Sequence, residues 1–221
     1  MKRFLALAAT ALLLTGCVKT VKFTVAFDTE NAARRTELEA AIARVIDGRM
    51  VSKGKKVVKQ ELTKDADTNV LTVRVSDAEA AKLLSDGLTT PFTMSIMKQV
   101  AAGEGDVISE KFGEFKETGI ETKHFDWVMT ALSITEAGAS QGSVVIAFTK
   151  EGQELLKETF RKNRGGVIGI FVRGQLMSKK LVDAKDKQDS IQIDGIPSEE
   201  LAKAFADDVN VGLHVQFSEV K

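Results

Sequence analysis

Hydrophobic and polar positions along this chain switch repeatedly between two periods. Phe23, Val25 and Phe27 alternate with Lys22, Thr24 and Ala26, the period-two signature of a strand with one buried face. Over residues 31–46 the period lengthens, and Leu38, Ala41, Ile42 and Val45 fall on one helical face. A basic turn over residues 53–59 leads into a strand, and Leu71, Val73 and Val75 then alternate with Thr72 and Arg74. Ser76-Asp77-Ala78-Glu79 has the capping-box spacing and predicts a helix to about Asp86. Pro91 ends that segment, and Phe92, Met94 and Ile96 make the next strand. The order over residues 21–98 is βαββαβ, which predicts an α+β fold with a ferredoxin-like sheet and two helices on one face.

Residues 101–123 are rich in Gly, Glu and Lys, with little periodicity beyond Phe112 and Phe115, and read as a connection between two halves that holds at most one short element. Strands are then expected over residues 127–134 and 143–148. Thr149 caps a helix to about Asn163 with Leu155, Leu156 and Phe160 inward, and Gly165-Gly166 ends it. Further strands are expected over residues 167–172, 175–181 and 190–193. Ser198 opens a helix with Leu201, Ala204 and Phe205 on its buried face, and Val209, Val211, Leu213, Val215 and Phe217 alternate as a last strand. The expected organisation is a leader over residues 1–16, an N-terminal ferredoxin-like lobe over 17–100, a connection over 101–123 and a C-terminal lobe over 124–221.

The N-terminus changes the picture most. Lys2 and Arg3 precede an apolar run over residues 4–14, and Leu14-Thr15-Gly16-Cys17 follows, with Cys17 the only cysteine. A basic front, a short apolar core and small residues before a cut site mark a secretory signal rather than a spanning helix. The four-residue ending resembles the lipobox of bacterial lipoprotein signals, which implies cleavage before Cys17 and its acylation. The competing reading is an ordinary signal or anchor with a chance cysteine. A lipid on Cys17 leaves no thiol for a disulfide and tethers the chain to the cell envelope, on the periplasmic face. Val18 stands where lipoproteins held at an inner membrane typically carry Asp, which leans toward the outer membrane. Removing the leader leaves about 200 residues, enough for two lobes each with a core. The 31 basic and 31 acidic residues cancel, so no global field recruits nucleic acid. Two His and no second Cys leave a zinc site short of ligands, and no cofactor is expected.

The second half carries a resemblance. Phe115-Lys116-Glu117-Thr118-Gly119-Ile120-Glu121-Thr122-Lys123-His124-Phe125, then Thr149-Lys150-Glu151-Gly152 with Phe160 and Asn163, residues 167–172 with Gly174, Leu176 and Ser178, Ile193-Asp194-Gly195 with Glu199-Glu200, and Asn210, Gly212 and Leu213 occur in order. This run resembles the first periplasmic domain of the SecD family, accessory subunits of the Sec translocase. The resemblance implies contact with exported polypeptides and Sec components. Three departures stand out: Arg173 where the family usually has Asp, Lys179-Lys180 where it has a small residue and proline, and His214 where it has proline. The family continues into membrane helices carrying a proton pathway, whereas this sequence stops at Lys221. The expectation is therefore a periplasmic domain held by lipid, without proton-driven work of its own.

Candidate chemistry is sparse. His124, between Lys123 and Asp126, lacks a nucleophile motif and reads as a hydrogen-bonded structural residue. The carboxylates of Asp47, Asp65, Asp67, Asp86, Asp106, Asp207 and Asp208 fall at turns and helix ends, where capping explains them. Residues 161–166, Arg-Lys-Asn-Arg-Gly-Gly, place their glycines after a helix, the reverse of a phosphate cradle. Two lysine clusters, Lys53, Lys55, Lys56 and Lys59 and Lys179, Lys180, Lys185 and Lys187, fall at expected hairpin tips and could face an anionic leaflet. Met94, Met97, Met129 and Met177 serve either core packing or an adaptable surface. The function expected is non-catalytic: binding or guiding polypeptides in Sec-dependent export. The alternatives are a general structural or binding lipoprotein and an envelope hydrolase.

Overall fold

The computed structural model describes residues 18–65, 68–134, 140–183 and 189–220. The leader, Cys17, Asp67, Lys185 and Lys187 lie outside them. The first sheet has the strand order β12-β1-β3-β2, built from β1 (Lys19–Phe27), β2 (Val57–Asp65), β3 (Thr68–Val75) and the C-terminal β12 (Val215–Glu219). Helices α1 (Ala32–Ser52) and α2 (Ala78–Thr89) cover one face, and Phe23, Leu38, Ile42, Ile46, Leu71, Val73 and Leu84 form the first core. The fold is α+β, as the alternating periods require.

The fourth strand of the βαββαβ series does not close this sheet. β4 (Met94–Val100) pairs instead with β6 (Gly113–Glu121) and β9 (Val167–Val172) in a second sheet of order β10-β9-β4-β6-β5, and β12 takes the place beside β1. The reason is burial. Met94, Ile96 and Met97 are all covered, so β4 needs neighbours on both sides and cover on both faces. The outer position beside β1 suits β12, whose Val215 is buried while Gln216, Ser218 and Glu219 are exposed.

Residues 101–123 are not a bare connection. They hold β5 (Val107–Ser109) and β6, which sits inside the second sheet between β4 and β5. A bulge hides the alternation: Ile96 faces Ile120 but Met97 faces Glu117, with Thr118 and Gly119 (φ 85°) between them. Phe115 therefore points to one face, against Met97 and Phe171, and Ile120 to the other.

The second core lies between that other face, a third sheet and two helices. The third sheet has the order β11-β8-β7, from β7 (Phe125–Ile134), β8 (Ser140–Phe148) and β11 (Ser190–Ile196). Helix α3 (Lys150–Lys162) is capped by the Thr149 hydroxyl, which accepts from the Gly152 N–H, and contributes Leu156 and Phe160. Strand β9 runs on into β10 (Gln175–Leu181). Helix α2 is capped by Asp77, whose carboxylate accepts from the Ala80 N–H at 2.8 Å, rather than by Ser76, which donates to Asp77. The carboxylate is the stronger acceptor one position on.

Helix α4 (Glu199–His214) departs from the sequence reading twice. It continues through Val209 and Val211, leaving only Val215–Glu219 as strand. Its buried face is Ala202, Ala206, Val209 and Asn210, while Leu201 is 53% exposed and Phe205 half-buried. Close packing decides both. A Cβ at Gly142 of β8 would collide with the Ser198 carbonyl and the Ala202 side chain, so the helix lies on the sheet through its smallest residues.

Candidate functional site

Strand β1 begins at Lys19, two residues after Cys17. Lys19, Val75 and Val57 lie side by side across β1, β3 and β2, which places the basic turn before Val57 at the same end of the first sheet. That turn joins α1 to β2 and is not a hairpin tip; in it Lys55 is neutralised by Glu79 (2.6 Å) and Asp77 (3.5 Å), while Lys59, inside β2, pairs with Glu61 at 2.8 Å. The second lysine cluster is not a tip: Lys179 and Lys180 lie within β10, and Lys179 sits 4.1 Å from the Phe112 ring centroid.

His124 is buried, and its Nε2 has no hydrogen-bond partner among the described residues. Its Nδ1 accepts from the Glu121 N–H at 3.0 Å, which leaves the proton on Nε2, 3.5 Å from the Glu151 carboxylate. The His124 carbonyl accepts from the Thr149 N–H at 3.0 Å, and a Cβ at Gly152 would collide with it. The two resembling segments that contain His124 and Gly152 thus meet at one point, and Gly152 is what lets α3 approach. The glycines after α3 are likewise engaged: Gly165 N–H donates to Val182 and Gly166 N–H to Asn163. Met94 and Met97 are buried, whereas Met129 and Met177 are about half exposed.

A cleft of about 780 Å³ lies between α1, α2, α4 and the β9–β10 turn. Its wall is mostly apolar, with Val45, Met50, Leu83, Leu84 and Leu88, and a Cβ at Gly48 or Gly87 would meet nothing within 4 Å. Charge is concentrated on one side. Asp208 of α4 is held between two guanidiniums, Arg49 (2.8 Å) and Arg173 (2.5 Å). Burial pushes the Asp208 carboxyl up, but the two guanidiniums outweigh it and hold it below the usual range. Arg44 pairs with the neighbouring Asp207 at 2.7 Å. Arg173 has φ 50° beside Gly174 at 74°, the left-handed pair of a tight hairpin turn. That conformation favours Asn, Asp or Gly, so an arginine here is strained. Arg173 accepts the strain and in return spans from the turn to α4, its guanidinium also 4.9 Å from the Phe92 ring centroid.

A second groove, of about 380 Å³, runs between α1, α4 and the outer edge of β7. Trp127 stands at one end, stacked on His214 (centroids 5.2 Å apart) with the Arg34 guanidinium 4.8 Å from its ring centroid. Arg34 forms a two-pronged pair with Asp126, both bonds 2.9 Å, which holds that carboxyl below its ordinary range. In the groove, buried Asn210 accepts from the Val128 N–H and donates to the Val128 carbonyl, each at 2.8 Å. Among the described residues no group of three or more His, Cys, Asp or Glu side chains converges as a metal site. No described helix is long and apolar enough to cross a membrane.

No protein-family model matches the sequence, and no curated protein matches it. Solved structures do. The chain is similar in structure to SecDF. One such structure, of the membrane component SecDF that enhances protein export, is 15% identical over 90% of this chain and 99% of that one, with a TM-score of 0.46. SecDF in its super-membrane-facing form is 12% identical over 92% of this chain, with a TM-score of 0.48. SecDF from Thermus thermophilus, a translocon-associated membrane protein, is 13% identical over 89%, with a TM-score of 0.47. The chain spans 30% of each of these last two SecDF chains.

Proposed function

We propose that this protein is a non-catalytic, lipid-anchored envelope protein whose α+β body binds or guides polypeptides during Sec-dependent export. The observation that carries the reading is the 780 Å³ cleft, whose apolar wall and ion-paired side suit a segment with hydrophobic side chains and a polar backbone. The run from Phe115 to Phe217 that resembles SecD contributes one of its walls through Arg173, Asp207 and Asp208. Acyl chains on Cys17 would hold the first sheet end-on to the bilayer, with Lys53 and Lys56 toward the headgroups, on the periplasmic face and, given Val18, at the outer membrane. The partners are exported chains and Sec components.

Gly48→Trp tests the cleft without touching the core. The indole would project into open space from a helical position where Gly is the poorest choice after Pro, so the thermal midpoint is not lowered. Binding of a permanently unfolded polypeptide, followed by fluorescence anisotropy, is expected to weaken at least about tenfold, or about 1.4 kcal/mol. Unchanged binding by a folded Gly48→Trp protein would contradict the reading.

A further inference from the structure

The geometry points to a strand-addition site on the outer edge of β7, where an extended polypeptide pairs with the backbone of Thr130 and Leu132, starting where Asn210 leaves off. The inference rests on the polypeptide-binding reading and gives it a second, backbone-directed contact.

Sheet three ends at β7, because its order is β11-β8-β7. In an antiparallel pair, backbone N–H and C=O groups of successive residues point alternately toward the partner and away from it. Val128 points away from β8, since both its N–H and its C=O are taken by Asn210. The β7–β8 register is regular from Trp127↔Ala147 to Ile134↔Ser140, so Thr130 and Leu132 share that outward direction. Thr130 is exposed and lines the 380 Å³ groove. Among the described residues no other strand pairs with this edge of β7, and an unpaired outer strand is a template for another chain.

The molecule already shows the pairing at one position. A carboxamide has the donor and acceptor of a peptide group, and the Asn210 side chain satisfies Val128 as an adjacent strand would. That plug fixes where an incoming strand starts, because Val128 is taken and Thr130 is the next outward position. The groove walls carry both signs of charge, with Glu37 and Arg44 from α1 and Lys203 from α4, so side-chain charge does not select the occupant. What the edge selects is an extended backbone, of broad sequence, which is the state of a polypeptide before it folds.

The test is amide hydrogen exchange on the full-length protein with and without reduced, carboxymethylated α-lactalbumin, a chain that cannot refold. The expected result is exchange slowed at least about tenfold at Thr130 and Leu132 on adding the probe. Thr130→Pro removes the outward N–H without breaking a bond to β8, and is expected to weaken probe binding, whereas Thr130→Val keeps the N–H and the affinity. Should Thr130→Pro fail to fold, the exchange measurement on the unaltered protein still decides. Probe binding with no protection at Thr130 and Leu132 would overturn the edge site and leave the cleft reading standing. No probe binding at all would overturn both. Protection of the same amides by raising protein concentration alone would assign the edge to a second copy of the chain and overturn the proposal.

Discussion

Ending the chain after His214 is expected to unfold the first lobe. The lost strand looks like a tail, but β12 supplies one of the four strands of the first sheet and pairs along β1 from Phe23↔Glu219 to Phe27↔Val215. Val215 is buried, and Phe217 meets Phe23 edge-on with ring centroids 6.3 Å apart. Each such side chain contributes about 1.5–3 kcal/mol when fully buried, and Phe217 is only half covered. Adding the exposed edge of β1, the loss is about 4 kcal/mol or more, a large share of the 5–15 kcal/mol typical of a domain. Urea unfolding checks it. The truncated protein should be unfolded or should melt in two steps, whereas a dispensable tail would leave the midpoint unchanged.

Ile170→Ala is expected to cost about 2–5 kcal/mol, the range for emptying a fully buried aliphatic site. Ile170 has no exposed surface and lies on β9, opposite Ile96 of β4 and Ser178 of β10, where no side of the strand can collapse into solvent. Phe205→Ala, on the half-covered flank of α4, should cost about 1–2 kcal/mol because less area leaves water. Lys56→Ala, on the exposed turn before β2, should change stability by less than about 0.5 kcal/mol. Denaturant midpoints at constant slope give the ranking directly. Equal losses at all three positions would contradict the packing described here.

These contrasts mark what the sequence made legible. Period and caps located nearly every element: Thr149 and Ser198 each cap the helix expected to start there, and the strand at Val167–Val172 is buried as its composition requires. Partnership between strands was not legible. β1 α1 β2 β3 α2 β4 reads as one closed unit, and nothing local in Met94–Val100 says that β4 leaves for another sheet while the C-terminal β12 takes the place beside β1. The one available signal was that Met94, Ile96 and Met97 are apolar without strict alternation, the mark of a strand covered on both faces. In α4 the β-branched Val209 and Val211 argued for strand, but tertiary packing against Gly142 and the Asn210–Val128 bonds outweighed propensity. The same bonds explain why the groove site was missed. Asn210 stood in the sequence as part of a resembling run, and its role as a plug for β7 appears only when residues 82 positions apart are brought together.

This body is proposed to meet polypeptides on their way through the envelope. Photo-cross-linking from a reactive amino acid placed at Leu83, on the cleft wall, tests it most directly in intact cells. Pulse-labelled secreted chains should be captured early and disappear on chase, and Cys17→Ser, by releasing the protein from its membrane, should reduce the capture. Cross-links confined to resident envelope proteins, and unchanged when export is blocked, would contradict it.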